Sequence, residues 1–108
     1  MTYNVKAITV FERQAKRLVK KYPSLKTELT QLIELLRHAP KQGTSLGNNS
    51  YKIRISVASK GKGKSGGARI ITHVHILQST VFLLSIYDKS EQADIADNEL
   101  KELIRFVQ

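Results

Sequence analysis

The apolar positions of this chain repeat at a helical spacing near the N-terminus, switch to strict alternation in the middle, and return to a helical spacing at the end. Tyr3 to Ala7 reads as a short strand. Thr9 and Glu12 then have the spacing of a capping box, in which a hydroxyl and a carboxylate each satisfy an orphan amide. Phe11, Ala15, Leu18, Val19 and Tyr22 follow on one helical face, with Arg13, Lys16, Arg17, Lys20 and Lys21 on the other. Pro23 stops this helix, and Ser24 can cap a second one whose stripe is Leu25, Leu29, Leu32, Ile33 and Leu36, ending before Pro40 and Gly43. The pair reads as a helical hairpin.

From Tyr51 the period becomes two, and three consecutive strands can be laid out with defined faces. Tyr51 to Ala58 places Ile53, Ile55 and Val57 opposite Lys52, Arg54 and Ser56. Ala68 to Leu77 places Ile70, Thr72, Val74 and Ile76 opposite Arg69, Ile71, His73, His75 and Leu77. Val81 to Lys89 places Phe82, Leu84 and Ile86 opposite Val81, Leu83, Ser85, Tyr87 and Lys89. A third helix over Gln92 to Val107 contributes Ile95, Leu100, Leu103 and Ile104. The expected fold is therefore α+β in the order β-α-α-β-β-β-α, an antiparallel-rich sheet with helices packed on one face. Its other face then gathers Lys52, Arg54, Arg69, His73, Ser85, Tyr87 and Lys89.

Length and charge narrow the function. A chain of 108 residues has room for one core, so residues 1–108 are expected to form a single domain. Eighteen Lys and Arg against nine Asp and Glu give a net charge of +9, which points to an anionic partner, nucleic acid first. There is no acid between Leu35 and Tyr87, whereas Asp88, Glu91, Asp94, Asp97, Glu99 and Glu102 crowd the last stretch. The cationic face is therefore local. An apolar content of 41% argues for a folded core over a disordered basic tail. With no Cys there is no thiol nucleophile and no thiolate metal site, and a reducing compartment is expected. The run Val81 to Ile86 includes Ser85 and falls far short of the roughly 20 residues a spanning helix needs. With no export signal at the N-terminus, a cytoplasmic protein without a membrane partner is expected.

Ala58 to Ser65 reads ASKGKGKS, a permissive match to a phosphate loop, but such a loop must enter a helix and this one enters a strongly β stretch. Nucleotide hydrolysis is not expected on that ground. Lys60, Lys62 and Lys64 instead alternate with Gly61 and Gly63, placing ammonium groups on a backbone that can mould itself to an RNA phosphate chain. A flexible, solvated hairpin connection is the plainer reading of the same loop. Like charges at Lys52, Arg54 and Arg69 would repel on neighbouring strands, and no carboxylate is expected on that face, so a bound anion is the natural relief. His73 and His75 alone make no metal site, and no metal or other cofactor is expected. His73 is a candidate for proton transfer and Tyr87 for stacking on a base.

At YKIR (Tyr51 to Arg54), GKGKSGGARII (Gly61 to Ile71) and LLSIYDKSE (Leu83 to Glu91) the chain resembles toxins of the RelE/ParE superfamily, in particular the HigB-like branch of RelE. The resemblance covers nearly the whole chain and implies the same element order. It further implies a toxin of a type II toxin–antitoxin system that enters the A site of the 70S ribosome and cleaves mRNA. It would be held inactive in a hetero-oligomer by a cognate antitoxin encoded in the same operon. Carried over by position, Lys52 and Arg54 match the basic pair on the first of the three central strands, Arg69 the arginine opening the next, and Lys89 the basic residue ending the last. Lys89 stands where arginine is usual, and the tyrosine of the last segment is absent, its place falling near Ile95; Tyr87 is the candidate substitute.

Attack by a 2′-hydroxyl on the adjacent phosphorus requires only proton transfer and positive charge. Arg54 and Arg69 suit the developing phosphorane, because a guanidinium offers a bidentate fork and keeps its proton. Lys52, crowded by both, is the candidate base, and Lys89 or His73 the candidate acid. Two other readings use the same residues differently: a ParE-like protein that binds DNA gyrase, and a basic RNA-binding module without catalysis.

Overall fold

The computed structural model describes residues 2–61 and 66–108. Along the chain lie β1 (Asn4–Ala7), α1 (Thr9–Lys21), α2 (Leu25–His38), β2 (Thr44–Gly47), β3 (Ser50–Ile55), a 3-10 turn (Ala58–Lys60), β4 (Ala68–His75), β5 (Thr80–Asp88) and α3 (Asp97–Arg105). The strands form one sheet in the order β1-β5-β4-β3-β2. β1 runs parallel to β5, and the other pairs are antiparallel. The expected α+β class and element order hold, with β2 added. Its signal is the pair Asn48–Asn49, both at positive φ (51° and 61°), which closes a two-residue hairpin between Gly47 and Ser50.

The helical hairpin packs as its stripes require. Phe11 and Leu18 of α1 and Leu25, Leu29, Leu32 and Leu36 of α2 meet Ile53, Ile70, Val74, Val81, Leu83 and Ile86 of the sheet. The caps differ from expectation. β1 stays engaged with β5 through the bond from Ile8 N–H to the Leu83 carbonyl, so Ile8 is still extended and becomes the N-cap of α1. Thr9 then falls inside the first turn, and no side chain caps the helix. Ser24 does stand at the N-cap of α2, but its hydroxyl donates to Glu28 (3.2 Å) and accepts from the Ser59 amide (2.9 Å). Glu28 also accepts the Ala58 amide (2.8 Å), so the start of α2 grips the 3-10 turn.

Two departures reshape the other face of the sheet. α3 lies on that face, not beside the hairpin: Leu103 and Ile104 pack with Ile71, Leu84 and Tyr87. β4 and β5 are thus covered on both sides, which is why β5 reads as a nearly continuous apolar run. Within that run sits a bulge. Ile71 faces Ser85 while Thr72 faces Leu83, so Leu84 is an extra residue and the parity of β5 changes there. Val81 and Leu83 therefore face the hairpin together with Ile86, while Phe82, Leu84 and Tyr87 face α3.

Gly67, the residue before β4, lies close against the end of β3. A Cβ added there would lie 2.0 Å from the Ile55 carbonyl oxygen and 3.2 Å from the Ser56 Cα, contacts with backbone that no rotamer relieves. Gly67→Ala is expected to cost about 2 kcal/mol or more, lowering the melting midpoint by about 10 °C in a thermal unfolding experiment. An unchanged midpoint would show that the strands have room that this geometry denies.

Candidate active site

Strand pairing brings Arg54, Arg69 and Tyr87 into one row across β3, β4 and β5, on the face that α3 partly covers. Adjacent members of such a row are about 5 Å apart at Cα. Arg69 is buried at the centre and donates from Nη1 to the Ala68 carbonyl (3.3 Å). Arg54 is exposed and, among the described residues, forms no ion pair. Lys52 lies two positions before Arg54 on the same face, one row from Tyr87.

A carboxylate meets this group. Asp94, in the turn between β5 and α3, accepts from Lys52 Nζ (3.3 Å), from the Tyr87 hydroxyl (3.5 Å) and from the Ile95 amide (2.8 Å), all at Oδ1. The expectation of a face without acids is therefore corrected. The chain needed for this turn, Gln92 to Ala96, is withdrawn from the predicted helix, which begins only at Asp97. The Ile95 amide and then Lys52 hold the Asp94 carboxyl below the ordinary range. Burial, reinforced by the Asp94 charge, pushes the Tyr87 phenol up to about 12. Tyr87 is consequently a hydrogen-bond donor at neutral pH rather than a proton acceptor.

Below the row, the chain builds a second, buried cluster. Asp88 faces the hairpin, where its side chain is 1% exposed and pairs with Lys60, itself 6% exposed. The Tyr22 hydroxyl donates to Oδ2 (2.7 Å), and the Ser90 amide and hydroxyl donate to Oδ1 (2.9 and 2.7 Å). Burial pushes the Asp88 carboxyl up, but the bonds from Lys60, Ser90 and Tyr22 outweigh it and leave the group well below the usual carboxylate range. Lys60 also donates to the Gly67 carbonyl (3.3 Å), which in addition accepts the Lys89 amide (3.1 Å). Lys60 is therefore a structural counter-ion, not the RNA-facing cation expected from the glycine-rich loop. Lys62 and Lys64 lie outside the described residues.

The remaining expected residues separate. Lys89 follows Asp88 beside Gly67, at the end of β5 next to the row. His73 faces Phe82 and Ser50, at the opposite end of β4, and its Nδ1 is 3.1 Å from the Ser50 hydroxyl. Six strand positions, roughly 20 Å, divide it from Gly67, so His73 and Lys89 cannot act on one phosphate. Burial, with the neighbouring His75, lowers the His73 pKa. Ser85 is also removed from the cationic face, because the bulge turns its hydroxyl to Gln14 of α1 (3.1 Å). Lys52, Arg54, Arg69, Tyr87 and Lys89 stay together, and Asp94 joins them.

The family model for the RelE toxin of the RelE / RelB toxin-antitoxin system matches residues 8–107. Among solved structures, a double mutant of the Escherichia coli toxin RelE in the free state is similar over 100% of both chains, with a TM-score of 0.64 and 16% identity. The toxin–antitoxin complex RelBE2 from Mycobacterium tuberculosis matches 82% of this chain and 99% of its own, with a TM-score of 0.60 and 15% identity. The isolated E. coli RelE toxin matches at a TM-score of 0.52 and 18% identity, covering 96% and 98% of the two chains. At these identities the likeness to solved structures concerns the fold.

Lys60→Met would leave the buried Asp88 carboxylate without its close counter-ion, with only the half-exposed Lys21 ammonium 4.0 Å away, and is expected to cost about 3 kcal/mol in denaturant unfolding at neutral pH. Because the folded-state pKa of Asp88 is depressed, its contribution is present above the unfolded value near 4 and lost as pH falls through the folded value. The wild type should therefore lose this stability only in strong acid, and a variant as stable as wild type at pH 7 would contradict the role of Lys60. A spectrophotometric titration should find a tyrosine ionising near 12 that disappears in Tyr87→Phe.

Proposed function

Since the chain belongs to the family of RelE toxins of RelE / RelB toxin–antitoxin systems, we propose that it is an endoribonuclease that cleaves mRNA in the A site of the 70S ribosome and so inhibits translation. The observation that carries this reading is the row Arg54–Arg69–Tyr87 with Lys52 beside it: cationic forks and hydroxyl and ammonium donors on one side of a rigid sheet. Such a set is suited to charge that grows on phosphate oxygens.

In this reading the RNA supplies its own nucleophile. The 2′-oxygen attacks the neighbouring phosphorus, the bond to the 5′-oxygen breaks, and the products are a 2′,3′-cyclic phosphate and a free 5′-hydroxyl. Arg54, exposed, offers its guanidinium fork to the equatorial oxygens, and buried Arg69 adds a fixed positive field beneath them. Tyr87 donates a hydrogen bond from its protonated phenol. Lys52 takes the 2′-hydroxyl proton. To do so it must first have given its own ammonium proton to solvent, and contact with a carboxylate opposes that loss, so this role requires the contact with Asp94 to open. Lys89, at the end of the row, protonates the departing 5′-oxygen.

The partner of the resting protein is a cognate antitoxin from the same operon, bound in a hetero-oligomer, and the site of action is the cytoplasm, where the ribosomes are. The toxin is one domain spanning the chain. Among the described residues no helix is long and apolar enough to cross a membrane. Primer extension on mRNA from a ribosome-loaded translation mix tests the reading. The wild type should produce cuts within codons that require translation, and Arg54→Ala should reduce them by about 10²- to 10³-fold. Lys52→Ala activity within a factor of two of wild type would remove Lys52 as the base. Intact mRNA alongside arrested growth would overturn the nuclease and direct attention to DNA gyrase.

A further inference from the structure

The three donors that meet at Asp94 come from separate parts of the chain: a β3 ammonium, a β5 phenol and a backbone amide of the connecting turn. All converge on one oxygen of an anion. Beside them, in register with Tyr87, are Arg69 and the exposed Arg54, which extend the positive charge of the site along the row. A singly charged oxyanion at this point is chemically what a phosphodiester oxygen would be.

The contact is also placed where it can open. The Lys52 side chain is 19% exposed and that of Asp94 is 62% exposed, so the carboxylate is the more solvent-accessible of the two partners. Asp94 belongs to a turn outside any helix or strand, and an ion pair this exposed is worth about 1 kcal/mol or less. It would yield to an anion that engaged the same donors and the arginines together.

We propose that Asp94 is a built-in stand-in for the scissile phosphate: its carboxylate holds the Lys52 and Tyr87 donors in the free protein, and RNA must displace it to bind. The inference rests on the site being an RNA phosphate site, as argued above, but not on cleavage taking place there. Asp94 here is neither base nor acid; its removal strengthens binding, whereas removal of a catalytic or scaffolding group weakens it. The lost contact also releases Lys52 in the same event that seats the substrate.

The test is binding of a fluorescent single-stranded RNA oligonucleotide, 2′-deoxy at the position of attack so that it cannot be cut, followed by anisotropy. Asp94→Asn keeps an oxygen that can accept the Ile95 amide while removing the charge. Asp97→Asn removes an equal charge from the first turn of α3 and serves as the control. Asp94→Asn should tighten binding about two- to fivefold, the range an exposed ion pair supplies, and clearly more than Asp97→Asn. The Tyr87 titration should move below 12 in Asp94→Asn alone, reporting loss of the contact without reference to activity. Equal tightening by both variants, no tightening, weaker binding, or no binding by any of the proteins would each overturn the proposal. If Asp94→Asn tightens binding while the wild type leaves translated mRNA intact, the nuclease reading fails and the displaced carboxylate stands.

Discussion

A carboxylate taken out of water has to find donors, and the way Asp88 finds them ties the fold to its site. Its partners arrive from the end of α1 (Tyr22), the 3-10 turn after β3 (Lys60) and the residue two positions on (Ser90). Lys60 is delivered by a second set of bonds, since Ser24 and Glu28 at the start of α2 hold the amides of Ser59 and Ala58. Lys60 then reaches the Gly67 carbonyl, where the Lys89 amide is also bound. One buried charge therefore connects the helical hairpin to the ends of β3, β4 and β5 nearest the row of Arg54, Arg69 and Tyr87. A buried pair of this kind is poor evidence of net stability, because desolvation consumes much of its Coulomb gain. Its effect is geometric: any other arrangement leaves a charge unpaired, so the alternatives are penalised more than the native state is favoured.

The sheet divides its two faces between packing and chemistry only in part. One face is wholly committed to α1 and α2. The other is shared: α3 covers Ile71, Leu84 and the ring of Tyr87, while Lys52 and Arg54 remain accessible to a ligand. That division explains the condition of Tyr87, whose burial keeps its phenol protonated while its hydroxyl still reaches Asp94. The Leu84 bulge makes it possible. Without the extra residue, a β5 that put Ile86 and Asp88 against the hairpin would send Val81 and Leu83 to the opposite side, away from the α1 and α2 side chains they pack with.

Much of this was legible in the residue pattern. The helical stripes ending at Pro23 and before Pro40, and the alternation through Lys52–Arg54 and Arg69–Ile71, locate the hairpin and the central strands and put the basic residues on a common face. What was not legible has identifiable causes. A bulge inside Val81–Ile86 is invisible because both faces of that strand are apolar, so parity carried Ser85 to the wrong side. Lys60 looks like its neighbours in a lysine–glycine run, and only the contact with Asp88, 28 residues away, distinguishes it. Asp94 sits among acids at a spacing compatible with an amphipathic helix, so nothing local announces that its segment is a turn. These are long-range facts, and periodicity reports on near neighbours.

The same distinction bears on how a cationic site survives in a folded protein without its ligand. Arg54 and Arg69 face one another across two strands, an arrangement that like-charge repulsion disfavours. The chain offsets this in two ways of different strength. Arg69 is fixed by burial and by bonding that includes the Ala68 carbonyl, so its position is part of the fold. Lys52 is balanced by Asp94, a partner that is exposed and belongs to a turn, so its charge is offset reversibly. A permanent internal counter-ion, such as Lys60 provides for Asp88, would satisfy the electrostatics better and leave no room for a substrate. The difference between a structural ion pair and a binding site here lies in burial: the charge that must be released is the one whose partner remains in water.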